Sequence, residues 1–87
     1  MKVENEFIDQ SKDIHIEWGG GTWNSTDRSI RNRKVNKTGG YNQAASAQIP
    51  WNDFLVMIEE SIKRNKFSNV ELAKILNTIS DNIAAIP

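Results

Sequence analysis

Five of the chain's eleven cationic side chains, Arg28, Arg31, Arg33, Lys34 and Lys37, fall within ten consecutive positions. Trp18 and Trp23 precede them and Tyr41 follows. Guanidinium groups grip carboxylates and phosphates in a planar fork, and aromatic faces stack on bases and on guanidines. The mixture suits an anionic partner of one of two kinds. Trp, Tyr and Arg dominate protein–protein hot spots, so the first is a larger protein with an acidic surface. The second is nucleic acid or a nucleotide held through its phosphates. The expectation is the protein partner, contacted by Trp23, Arg28, Arg31, Arg33, Lys34, Lys37 and Tyr41, with direct nucleic-acid or nucleotide binding by the same segment as the alternative.

Upstream of the cluster, Trp18-Gly19-Gly20-Gly21-Thr22-Trp23 follows an alternating run and has the look of a phosphate loop. Backbone N–H groups of such a loop can face an anion. The Walker pattern needs a Gly-Lys-Ser/Thr ending, however, and the dinucleotide pattern needs a third glycine where Asn24 stands. The glycines therefore read as a bend. A third functional option places a small ligand between Trp18, Trp23 and this bend.

Catalytic chemistry has few carriers. His15 is the only histidine and the chain has no cysteine. A thiolate nucleophile, a disulfide and a multi-histidine metal cluster within one chain are thereby excluded. His15 and Glu17 share one face of an alternating run and could exchange a proton, but no serine or threonine has a second histidine to activate it. The acids lack EF-hand spacing. No enzyme activity, metal or cofactor is expected. Glu71-Leu-Ala-Lys-Ile-Leu76 echoes the first helix of helix-turn-helix proteins, but the apolar phase runs unbroken through Asn77, where a turn would interrupt it.

The elements that must hold these residues are unevenly signalled. Ser68-Asn-Val-Glu71 is a capping box, with Phe67 and Leu72 placed as a hydrophobic staple. Leu72, Ile75, Leu76, Ile79, Ile83 and Ile86 then lie in one arc, predicting a helix over 69–86. Trp51, Phe54, Leu55, Ile58 and Ile62 share a face and predict a second helix over 51–64, with Asn52 as its cap. Only Asn65-Lys66 separates the two, so an αα-hairpin follows. Val56 points away from the main stripe and Met57 lies at its edge, which makes them a candidate dimer interface. Ile14-His15-Ile16-Glu17-Trp18 alternates as a half-buried strand over 13–18, with His15 and Glu17 expected to face solvent. Phe7 and Ile8 mark a short preceding element. Thr38-Gly39-Gly40 is a turn signal that would close a hairpin over 29–43, with a short helix from Thr26 as its competitor. The fold class is α+β: a β-rich N-terminal half packed on a C-terminal helical hairpin.

Eighty-seven residues make one small domain, with a polar, basic, loop-rich segment over 19–48. The zero net charge hides an asymmetry. Residues 1–17 carry two cations against five acids (−3), residues 18–50 five against one (+4), and residues 51–87 four against five (−1). The opening MKVENEFIDQ has no apolar signal core, and no apolar run approaches a membrane span. Asn24-Ser-Thr and Asn36-Lys-Thr match the glycosylation pattern but are read as chance in a chain with no secretion signal. A cytoplasmic protein is expected. Its economy of parts fits a compact inhibitor or regulator of a larger nucleic-acid-handling machine, of the kind a phage or mobile element encodes.

Overall fold

A computed structural model describes residues 1–42 and 46–85. Gln43, the last residue of the predicted hairpin, and Ile86, the last of the predicted apolar arc, lie outside the described residues. The chain is an α+β protein: a four-stranded antiparallel sheet in its N-terminal half is followed by two C-terminal helices. Contacts fall into two units, Met1–Val56 and Met57–Pro87.

The sheet is a meander in the order β1 (Lys2–Asp9), β2 (Ile14–Gly20), β3 (Arg28–Asn32) and β4 (Ala47–Pro50). Between β1 and β2 the chain makes one 3₁₀ turn, Gln10–Lys12. Asp9 caps it through its side chain, and Asp13 closes it in the left-handed region at φ 53°. The predicted strand over 13–18 thus begins one residue later and runs on through Gly19 and Gly20. These two glycines are ladder positions because neighbouring backbone comes too close for a side chain. A Cβ on Gly19 would collide with the Lys2 carbonyl, and one on Gly20 with the Ser25 carbonyl.

The element foreseen around Phe7 and Ile8 is a full eight-residue edge strand. Its register slips between Val3 and Asn5, a bulge that breaks the two-residue period on which a strand is recognised. Within 29–43 the chain does reverse at Gly39, whose φ is +86°. Pairing there is confined to the single Val35–Tyr41 bridge, and β3 pairs instead with β2 and β4. Residues 24–27 form a turn rather than a helix, with Asn24 Oδ1 accepting from the Thr26 N–H and hydroxyl.

Register sorts the sheet into two faces. Phe7, Ile16, Trp18, Ile30 and Ile49 lie on one, and Glu6, Glu17, Arg31 and Gln48 form a rung across all four strands on the other. No apolar side chain among the described residues is fully buried; the most buried side chains are Glu17 and Ser29. The sequence expectation that Glu17 faces solvent is therefore corrected. It lies on the face opposite Trp18, as alternation requires, but that face is roofed.

Helix α1 (Trp51–Lys63) begins directly after Pro50, one residue ahead of the predicted Asn52 cap. It ends in a Schellman motif: Asn65 is left-handed at φ 56°, the Lys66 N–H donates to Ser61 O, and the Asn65 N–H donates to Ile62 O. Helix α2 (Asn69–Ala85) opens on the predicted capping box. The Ser68 N–H donates to Glu71 Oε1 at 2.8 Å, and the Glu71 N–H donates to Ser68 Oγ at 3.1 Å.

Candidate binding site

The polar face of the sheet is organised by one carboxylate. Glu17 is 1% exposed and accepts from Arg31 Nε at 2.9 Å and Nη2 at 2.6 Å, both on Oε1. Its second oxygen lies 3.6 Å from Arg33 Nη1 and 3.9 Å from His15 Nε2. His15 Nε2 is also 3.0 Å from Glu6 Oε2. Directly opposed like charges on neighbouring strands are destabilising, and Glu6 and Glu17 are cross-strand partners. Arg31 and His15 sit where that repulsion would otherwise be felt.

Tyr41 forms the roof. Its ring centroid lies 4.9 Å from the Arg31 guanidinium carbon and 5.3 Å from that of Arg33. Its hydroxyl accepts from Arg31 Nη1 at 3.2 Å. The ring is delivered from outside the sheet by a loop stitched together through short polar links. Asn36 Oδ1 accepts from the Thr38 N–H, the Thr38 hydroxyl and the Gly40 N–H. The Asn42 N–H donates to Lys34 O, and Ser46 Oγ accepts from the Lys34 N–H and donates to Asn42 O. Asn36, Thr38 and Ser46 are thus turn-forming residues whose hydrogen bonds fix where Tyr41 lies.

Trp23 is set by the glycines. Its ring packs on Gly21, where a Cβ would strike it, and its indole N–H donates to Asp27 Oδ2 at 3.1 Å. Gln48 Oε1 accepts from the Thr22 N–H at 3.0 Å, tying this bend to β4. Trp23, Arg31 and Tyr41 line one open cleft of about 550 Å³, together with Thr22 and Gln48.

Of the seven residues nominated from the sequence, Trp23, Arg31 and Tyr41 share this cleft, and Arg33 stacks on the same tyrosine. Arg28 is elsewhere: its guanidinium covers the Trp51 ring at 5.3 Å, beside a cavity of about 370 Å³ at the start of α1. Lys37 is exposed on the loop, and the backbone of Lys34 is tied to Ser46. Val56 and Met57, the nominated dimer residues, are both exposed. Trp18 and Trp23 line different cavities. Glu6, Glu17 and Gln48 belong to the cluster and were not nominated. Their signal is cross-strand: Glu17 and Arg31 are direct partners in the β2–β3 register.

Glu6, His15 and Glu17 bring three ligand-capable atoms within 4.8 Å of one another. A divalent cation placed there would meet the Arg31 and Arg33 guanidinium groups, which already neutralise the one buried carboxylate. The same engagement occupies the His15–Glu17 pair considered for proton transfer. The arrangement can present a preset guanidinium–aromatic surface to a carbonyl, carboxylate or aromatic group. Among the described residues no helix is long and apolar enough to cross a membrane.

Comparison of the chain with known families, with curated proteins and with solved structures gave no match.

Proposed function

We propose that the chain is a small non-enzymatic binding protein that occupies a protein partner through the Trp23–Tyr41–Arg31 cleft. The observation that carries this reading is the preset state of Arg31. Two hydrogen bonds to a buried carboxylate and a stacked tyrosine fix its guanidinium before any partner arrives. A side chain already held in its binding geometry loses less entropy on association. Trp23 and Tyr41 beside it are 49% and 39% exposed, large apolar faces with polar tips of the kind that anchor interfaces. The partner surface that fits offers acceptors to Arg31 and apolar contact to the two rings. Inhibition or regulation of a larger nucleic-acid-handling machine is a role that such a module could fill.

Direct nucleic-acid binding is the weaker reading because the cluster's charge is spent internally. Phosphate recognition needs cations available to displace counterions, and here two arginines and a histidine face two carboxylates. The test is affinity capture with the full chain, with and without nuclease, comparing wild type with Trp23→Ala and Tyr41→Phe. The expected result is a nuclease-resistant protein complex weakened at least about tenfold by Trp23→Ala, as for a hot-spot aromatic. Capture abolished by nuclease, or indifferent to both substitutions, overturns the proposal.

A further inference from the structure

The helical unit carries a second surface unrelated to the cleft. Along α2, Leu72, Leu76, Ile79 and Ile83 are spaced four, three and four residues apart, the alternation of a helix–helix seam. Leu76, Ile79 and Ile83 are 64%, 50% and 65% exposed. Ile62, four residues after Ile58 in α1, is exposed as well. At 100° per residue, every residue of α2 within a quarter turn of the seam centre is uncharged: Ile75 and Asn82 on one flank, Asn69, Ala73 and Ser80 on the other. Glu71 lies just outside that arc, and Lys74 and Asp81 point the opposite way.

This charge layout decides among occupants. An interfacial membrane helix needs a polar face rich in Lys and Arg, whereas α2 has one lysine against two acids. Nucleic acid fails for the same reason. A charged protein surface would strand its charges against a face that offers none in return. What fits is another helix with a neutral apolar stripe and small flanking residues, and this chain supplies one. Self-association about a two-fold axis sets identical patches together, so a neutral seam meets its copy with no like-charge cost.

We propose that α2 docks on α2 of a second copy of this chain, forming an isologous dimer whose seam is Leu72, Leu76, Ile79 and Ile83. Ile79, in the middle of the exposed stretch, lies close to the two-fold axis, and Ile62 of α1 extends the contact toward a four-helix arrangement. Val56 and Met57 fall outside the seam.

The absence of cysteine gives a direct test, since one introduced thiol is the only one present. Wild-type chain at micromolar concentration should sediment at twice its 9.9 kDa mass. Mild oxidation should convert Ile79→Cys to a disulfide-linked dimer and leave Lys74→Cys, on the opposite face, uncrosslinked. Ile79→Glu should raise the dissociation constant at least about a hundredfold, because a carboxylate would have to be desolvated in the seam. A monomeric wild type overturns the proposal, whether the face is bare or covered from within the chain. So does equal crosslinking of the two cysteine variants. Should Ile79→Glu fail to fold by circular dichroism, the cysteine pair still decides.

Discussion

Glu17 is a buried carboxylate whose compensation comes mainly from one residue, and the two are not interchangeable with any neutral pair of halves. Removing one member of a buried ion pair leaves an uncompensated charge, whereas replacing both by apolar groups is often tolerated. Arg31→Met should therefore cost roughly 3 kcal/mol in urea unfolding, the low end of the range, because Arg33 and His15 still approach the second oxygen. Glu17→Leu combined with Arg31→Met should be less destabilised than Arg31→Met alone. A double variant worse than the single one would show that the pair supplies more than mutual neutralisation. It follows that charge reversal at Arg31 is a probe of folding before it is a probe of binding, and Trp23 is the cleaner binding probe. Gly19 sets a different kind of constraint. Any side chain there meets the Lys2 backbone, so Gly19→Ala should cost about 1–3 kcal/mol as overpacking and loosen β1 first. Hydrogen exchange localises that loss.

At the scale of elements, the start of α2 is where local chemistry is most completely expressed. The Glu71 carboxyl is held below its usual value of 4.5, first by the Ser68 backbone N–H and then by the Ser68 side chain. A carboxyl whose folded value is depressed contributes stability that is fully present above its unfolded value and is lost as pH falls through the folded one. Helicity of α2 by far-ultraviolet circular dichroism should accordingly decline in the acid range below 4.5, while Glu71→Gln, which keeps the hydrogen bond without titrating, should flatten that decline. An unchanged acid profile in Glu71→Gln would assign the loss to other carboxylates. Ser68→Ala should cost about 1 kcal/mol through loss of the cap itself. Both helices, the capping box and the reversal at Asn65 were legible in the sequence because every group involved lies within five residues of its partner. The strand β1 was legible only around Phe7 and Ile8. Its bulge between Val3 and Asn5 erases the alternation, and its pairing with β2 is a contact between segments that no local pattern records. For the same reason Trp23, Arg31 and Tyr41 could be nominated by type, whereas the Glu17 that fixes Arg31 could not be nominated without the register.

The whole sequence presents an acidic N-terminal stretch and a basic middle, and the sheet brings these two together. Strands β1 and β2 carry Glu4, Glu6 and Glu17, and β3 carries Arg28 and Arg31 in the neighbouring position. The unit Met1–Val56 holds seven cations and seven acids, so it has no net charge at neutral pH with His15 neutral. A charge run of +4 along the sequence is therefore not a +4 patch on the surface. Tertiary pairing removes part of it, because Arg31 and Arg33 face the buried Glu17 carboxylate, which composition cannot reveal. At physiological ionic strength the Debye length is about 8 Å, so charges paired at 2.6–3.9 Å, as in the Glu17 cluster, present little field to a distant polyanion. The full chain should pass through an immobilised polyanion column at about 0.15 M salt with little delay, and its affinity for short single-stranded oligonucleotides should fall with a slope of no more than about one or two phosphates. Arg28, Lys34 and Lys37, which form no ion pair among the described residues, would supply that residual slope. Retention to high salt, with a slope matching five cations, would mean that the Glu17 cluster opens on contact and releases its arginines. The surface would then be one that nucleic acid remodels, and Glu17→Gln, by removing the internal competitor, would bind the oligonucleotide more tightly than wild type.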